Sequence, residues 1–361
     1  MKKFRLFILS LMVGFSLAAQ TDSAHTYSVN INAHVGVLLP EYGFINYLSH
    51  DFAKGFEINV RKQSFGKTYW DQLYRYPGWG ISFFFSTMGS AQAFGNQFSI
   101  YPYYMLNIVE RKKWRLSYQM GIGASYATKE FNLQTNYENL AIGSHLNIHY
   151  HADVLLNVKL NSKMAWNVGI SFNHISNANL SEPNVGLNFA TLNTGLSIGF
   201  GKVQERKKLE VPPFQSSLHW SVILNGGMKH TRTFESFRYP AFSLAFEVTK
   251  RSRYKFAYGA GADFFYDSSV EPQMVRLGET FKSSYAYQSG IHLSQEFIYD
   301  KVSLILQEGV YLGLTDKLNH RPIYNRVNVR WQFLPHISAN LSLKSYLYIL
   351  DFPELGVGFT W

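Results

Sequence analysis

His174 and Ser176 have the residue types and the spacing for nucleophilic catalysis. They close the run Trp166-Asn167-Val168-Gly169-Ile170-Ser171-Phe172-Asn173-His174-Ile175-Ser176. Along an extended strand, side chains at i and i+2 leave the same face. The imidazole can then reach the hydroxyl and take its proton, which is how a serine is activated. Such a base needs a third group to orient it. The returning strand offers one: its outward row, read back from Phe200 through Ile198, Leu196, Thr194, Leu192 and Ala190, arrives at Asn188. His174, Ser176 and Asn188 thus share a phase on adjacent antiparallel strands. In the segment between them, Asn177 and Asn184, with nearby backbone N–H groups, are candidate donors to an oxyanion. The same Asn, Ser, Pro and Gly are also what an ordinary turn contains.

The elements that must position these groups are long alternating strands. In 114–126 the even positions are Trp114, Leu116, Tyr118, Met120, Ile122, Ala124 and Tyr126, and the odd ones are mostly polar or glycine. In 146–158 the even row is Leu146, Ile148, Tyr150, Ala152, Val154, Leu156 and Val158. Period-two alternation of this length is the pattern of an outer-membrane barrel, apolar toward lipid and polar toward the lumen. A lipid-exposed sheet must also close on itself, because the bilayer core offers no partner to an open edge. In the strand of the catalytic pair, the lipid row Met164, Trp166, Val168, Ile170 and Phe172 runs on into His174 and Ser176. A polar pair on that row is costly and reads as functional; a strand that has already left the hydrocarbon would instead place both in the head-group zone. The chemistry of the pair favours the functional reading.

Sixteen such strands are expected, near 26–39, 55–64, 79–87, 96–108, 113–127, 144–160, 163–176 and 187–200, then near 216–229, 240–250, 253–267, 283–298, 301–314, 324–333, 336–348 and 354–361. The charged stretch Gly201-Lys202-Val203-Gln204-Glu205-Arg206-Lys207-Lys208, followed by Pro212-Pro213, reads as a linker over 202–215. The fold class is therefore all-β, a transmembrane antiparallel barrel, either as two tandem eight-stranded barrels (20–201 and 216–361) or as one of sixteen strands. Tyr74-Arg75-Tyr76-Pro77 and Phe237-Arg238-Tyr239-Pro240 echo each other and favour a tandem duplication.

At the N-terminus, Lys2, Lys3 and Arg5 precede the apolar stretch Leu6 to Leu17 and then Ala18-Ala19-Gln20. That is a secretory signal peptide over 1–19, cleaved after Ala19 and followed by no lipidation cysteine. Its removal takes the formal charge from +10 to +7. An exported basic barrel meets anionic lipid head groups; nucleic acid is not its partner. Composition agrees: 29 Phe, 24 Tyr, 7 Trp and 27 Gly, but only 16% charged residues, against about a quarter in ordinary globular chains. With no cysteine in the chain, disulfide scaffolds, thiolate metal sites and cysteine nucleophiles are excluded.

The run His174-Ile175-Ser176-Asn177-Ala178, with Pro183-Asn184 and Gly186 following, resembles the lipid A 3-O-deacylase family of outer-membrane acyl hydrolases (the PagL type). The resemblance covers about residues 25–201, and its specific positions cluster around His174. It implies an eight-stranded barrel with a His–Ser–Glu triad on its outer, lipid-exposed surface. The implied reaction removes an ester-linked acyl chain from lipid A, part of lipopolysaccharide in the outer leaflet, without a cofactor. Ser176 would be the nucleophile and His174 the base, with an oxyanion hole from Asn177, the backbone near Asn179, and Asn184. The chain departs from the family at the third member, since the position of the family's glutamate is Asn188. A neutral amide can orient an imidazole but cannot stabilise the imidazolium as a carboxylate does. Glu182 is the nearest carboxylate and an alternative triad acid. Because the family is complete in eight strands, the resemblance favours two barrels. The rival functions are a catalytically inactive structural or binding barrel, a passive pore of sixteen strands, which would have no need of a His–Ser pair on its lipid face, and a phospholipid esterase.

Two further groupings read as structural. His336-Ile337-Ser338 mimics the site, but the apolar row Ile337, Ala339, Leu341 and Leu343 assigns His336 and Ser338 to the lumen, at the periplasmic end. His145, His149 and His151 share a lumenal face with Asp153, where hydrogen bonding is expected rather than a metal. Glu308 interrupts an outward apolar row, which a register error, a bulge or an inter-barrel contact would each explain.

Overall fold

A computed structural model describes residues 23–231, 237–312, 322–347 and 349–361. The expected leader and its cleavage point lie outside the described residues. Eight antiparallel strands form a first closed barrel: β1 (Ser23–Leu38), β2 (Ala53–Gln63), β3 (Gly78–Thr87), β4 (Asn96–Glu110), β5 (Trp114–Ala127), β6 (Leu146–Lys159), β7 (Met164–Ser176) and β8 (Leu187–Glu205). A second closed barrel follows: β9 (Ser217–Lys229), β10 (Tyr239–Arg253), β11 (Phe256–Asp267), β12 (Tyr287–Tyr299), β13 (Val302–Leu312), β14 (Ile323–Gln332), β15 (Ile337–Tyr346) and β16 (Ile349–Thr360). The single sixteen-stranded barrel is thereby excluded: β8 pairs with β1, from Leu38↔Phe189 down to Ser23↔Glu205, instead of with β9.

Both barrels are inside-out relative to a soluble protein. Asn30, Asn32, Glu57, Asn59, His149, His151, Asn167 and Asn173 are buried in the first lumen, while Ile31, Val35, Ile58, Val60, Ile81, Ile170 and Leu192 are exposed outside. In the second, Glu247, Asp263, His292, Arg326 and Glu354 are buried, and Leu224, Phe246, Leu293, Leu341 and Leu355 are exposed. A 13-residue strand such as β7, tilted by about 40°, rises roughly 30 Å, enough to cross an apolar band of about 25 Å. Polar outward residues find local partners. Trp166 Nε1 donates to Thr194 Oγ1 at 3.0 Å, and that hydroxyl donates to the Asn167 carbonyl at 3.1 Å.

Several sequence expectations need correction. β8 runs on to Glu205, so the chain between the barrels is 206–216, shorter than the Pro and charge pattern indicates. Residues 283–286 form a 3₁₀ turn after a short helix, Val270–Arg276, and β12 begins only at Tyr287. The Tyr-Arg-Tyr-Pro echo joins non-equivalent places: Pro77 precedes the third strand of one barrel, whereas Tyr239 and Pro240 open the second strand of the other. It is no sign of duplication. Glu308 is in regular register opposite Leu293 and Asn325, without a bulge, and accepts from Asn325 Nδ2 at 2.8 Å. Ser338 faces the second lumen as expected, but His336 does not. It lies in the turn before β15, where its ring packs against the exposed Phe359 at 5.8 Å and its Nδ1–H donates to the Thr360 carbonyl at 2.7 Å.

The two barrels also touch. Tyr74, after the short helix Tyr69–Leu73, donates its hydroxyl to the Ile298 carbonyl at 2.6 Å. At the opposite end the loop after β7 meets the second barrel, as described below.

Candidate active site

The register of three strands assembles the catalytic candidates. β7 pairs with β6 as Tyr150↔His174 and Ile148↔Ser176, and with β8 as His174↔Asn188. Directly opposed residues of an antiparallel pair have Cβ atoms about 5 Å apart. An outward residue on β8 therefore lies within reach of the imidazole, which the i, i+2 spacing puts beside Ser176. His174 Nδ1 is 2.6 Å from Asn188 Oδ1, and His174 Nε2 is 2.8 Å from Ser176 Oγ. An amide oxygen only accepts, so the proton is on Nδ1 and the Nε2 lone pair faces the hydroxyl. All three side chains are partly exposed.

The loop 177–186 is laced to the neighbouring 139–144 segment. Val185 N–H donates to the Leu140 carbonyl and Gly186 N–H to the Ala141 carbonyl, at 3.3 and 2.9 Å. Ser181 Oγ donates to the Gly143 carbonyl at 3.0 Å, and a Cβ on Gly143 would lie 2.2 Å from the Pro183 carbonyl oxygen. Ala141 and Ile142 beneath are fully buried. Gly186 has φ +78°, and a Cβ there would stand 2.9 Å from His174 Cε1. Only glycine leaves both the turn and the imidazole undisturbed.

The three asparagines expected as oxyanion donors have different fates. Asn177 is absorbed by the loop: its Nδ2 donates to the Ser181 carbonyl (2.8 Å) and Ser144 Oγ (3.2 Å), and its backbone N–H donates to Asn184 Oδ1 (2.9 Å). Asn179 Nδ2 is directed to the second barrel, 3.4 Å from the Leu350 carbonyl. Asn184 anchors Asn177 with its oxygen and keeps its Nδ2 without a partner among the described residues. Ala178 and Asn179 have left-handed backbones, φ 53° and 62°. Their N–H groups carry no described partner. A non-glycine residue held at positive φ is strained, and such strain concentrates at functional loops. Glu182 has no described hydrogen bond or ion pair to His174. Arg238, from the second barrel, donates to the Leu180 carbonyl at 2.9 Å.

Sequence reading missed one polar neighbour. Glu41, after β1, accepts from Asn188 Nδ2 at 2.6 Å. It continues the outward row Val35, Val37, Leu39 by one further step, and the pairing of β8 with β1 brings that row beside Asn188. In the lumen, His149 and His151 both bond Asn173 Oδ1, at 3.0 and 2.9 Å, as a hydrogen-bonded cluster.

Residues 54–197 match the family model described as lipid A 3-O-deacylase (PagL). The first barrel belongs to that family. Residues 218–361 match a different model, described as acyloxyacyl hydrolase, C-terminal domain, which spans the second barrel. The two matches thus divide the chain as its two barrels do. Among solved structures, Neisserial surface protein A is 11% identical, covering 49% of this chain and 99% of its own at a TM-score of 0.32. The outer membrane enzyme PagL is 18% identical, covering 47% and 99% at 0.31. The Acinetobacter baumannii outer membrane protein Omp33 is 6% identical, covering 93% and 98% at 0.19. No curated protein matches the sequence.

Proposed function

We propose that this chain is an outer-membrane serine esterase, exported by its N-terminal leader, that removes an ester-linked acyl chain from lipid A. One observation carries the reading: in a barrel of the lipid A 3-O-deacylase family, Ser176, His174 and Asn188 form a continuous hydrogen-bonded chain on the lipid-facing row. A substrate that never leaves the bilayer reaches such a site by lateral diffusion along the barrel wall.

In the proposed reaction Ser176 Oγ attacks the acyl carbonyl while His174 Nε2 takes its proton. The oxyanion is met by the N–H groups of Ala178 and Asn179 and by Asn184 Nδ2. The tetrahedral intermediate collapses as His174 returns the proton to the departing sugar oxygen, leaving the acyl group on Ser176. Water, deprotonated by His174, then releases the fatty acid and restores the hydroxyl. Every step uses side chains and backbone of the first barrel, and no cofactor is needed.

Expression in a Gram-negative host, with lipid A mass spectra for wild type and Ser176→Ala, tests this. Loss of one hydroxyacyl mass only with the wild type supports it. Asn188 in place of a carboxylate favours a silent relative as the second reading. Unchanged lipid A and unchanged phospholipid in both strains, with the barrel inserted, would establish that reading. Fatty acid release from phospholipid with lipid A intact would make the chain a phospholipid esterase.

A further inference from the structure

The imidazole leans on an amide, and the amide leans on a carboxylate. Asn188 Oδ1 accepts from His174 Nδ1 at 2.6 Å, while its Nδ2 donates to Glu41 Oε1 at 2.6 Å. We propose that Glu41 is a positioning residue that acts through Asn188 to hold His174 in the tautomer able to receive the Ser176 proton. This rests on the serine-esterase reading above and extends it from three residues to four.

Hydrogen-bond polarity decides which tautomer His174 adopts. The two ends of an asparagine amide have nearly the same shape but opposite roles, so a half-turn about its last bond exchanges acceptor for donor. Turned one way, Oδ1 faces the ring, the ring proton sits on Nδ1, and Nε2 is free to act as base. Turned the other way, Nδ2 faces the ring, Nδ1 must accept, and the proton moves to Nε2, which then donates to Ser176 Oγ and cannot activate it. The family's glutamate has no such ambiguity, because both carboxylate oxygens accept. The Glu41 carboxylate on the far side of Asn188 removes it here: its oxygen takes the Nδ2 end, so Oδ1 faces the imidazole.

Glu41 is held where this requires. Leu39 N–H donates to the Asn188 carbonyl at 2.8 Å, carrying the β1–β8 ladder one residue beyond Leu38↔Phe189. Pro40 follows with its fixed φ. The short helix Gly43–Leu48 then buries Ile45 and Leu48, at 2% and 7% exposure, in the cluster closing that end of the barrel. Glu41 is thus pinned on both sides by its own backbone while its side chain remains exposed.

The test is a four-variant cycle on the full-length protein in detergent: wild type, Glu41→Ala, Asn188→Glu and the double variant. Phosphonylation of Ser176 by a fluorophosphonate probe and deacylation of lipid A are both measured, with heat-modifiable migration as the check of folding. Glu41→Ala is expected to lower the labelling rate and kcat by about tenfold or more, part of the roughly 10²–10⁴ that a positioned base supplies, with KM unchanged. In the Asn188→Glu background, where a carboxylate meets the imidazole directly, that loss disappears. An equal loss in both backgrounds, or none in either, overturns the proposal. Glu41-dependent labelling with lipid A untouched supports the positioning role and refutes the substrate. Deacylation indifferent to Glu41 does the reverse. A folded wild type that resists the probe overturns both.

Discussion

Asn188 lies directly across the β7–β8 ladder from His174 and accepts its Nδ1–H at 2.6 Å, so the imidazole is oriented by a neutral amide. In the proposed mechanism, an amide where the family resemblance implies a carboxylate keeps the hydrogen-bonded order of a triad and gives up most of its charge. An imidazolium formed in the proposed proton transfers would meet the Glu41 carboxylate only through that amide. The expected consequence is a correctly assembled but slow site.

Replacing Asn188 with Glu should therefore accelerate the reaction. A carboxylate in direct contact stabilises the imidazolium, and we expect kcat to rise by about threefold to tenfold, a small part of the range open to acid–base catalysis. Asn188→Leu, which can neither accept from Nδ1 nor donate to Glu41, should lower it by about a hundredfold or more. Steady-state deacylation by the purified variants checks both directions.

In the proposed mechanism Ser176 and His174 act as a unit. Ser176→Ala, His174→Ala and the double variant should lose about the same activity, because removing either partner already abolishes nucleophilic attack. A double variant much slower than either single one would show that the two residues contribute independently.

Gly186→Ala should cost activity more than it costs the barrel. The new methyl would stand 2.9 Å from His174 Cε1 at φ +78°, a strain of about 1–3 kcal/mol carried by a loop outside the ladder. We expect a fall in fluorophosphonate labelling of about tenfold or more, with the heat-modifiable gel shift retained.

The second barrel meets the loop after β7 through Arg238 on the Leu180 carbonyl and through the Leu350 carbonyl on Asn179. An exposed hydrogen bond of this kind is worth about 1 kcal/mol. Arg238→Ala should lower kcat by only a few-fold, leaving melting temperature within about a degree. A loss as large as that of Ser176→Ala would instead place Arg238 on the substrate.

Closure of β8 onto β1 makes the first barrel complete without the second. A chain ending after Glu205 should insert as a heat-modifiable barrel and still label at Ser176, at a few-fold lower rate because the loop contacts are gone. Failure to fold would show that the second barrel is needed for closure.

Strand phase is local, and it was legible. Side chains alternate every residue, so the outward assignment of His174, Ser176 and Asn188 followed from the alternation alone, as did the sixteen strands within a few residues at most ends. Closure is not local. The same alternation serves one barrel of sixteen strands or two of eight, and what differs is the partner of β8, which is β9 in one case and β1 in the other. Only the tertiary structure decided that, and with it the neighbour of Asn188. Pairing with β1 brings Glu41, 147 residues away in the chain, to 2.6 Å from the amide. The loop was likewise beyond sequence reading, since whether Asn177 faces an oxyanion or Ser181 depends on which carbonyls a turn folds against. The residue types and phases belong to the sequence; which polar group completes each hydrogen bond was settled where the sheet closes.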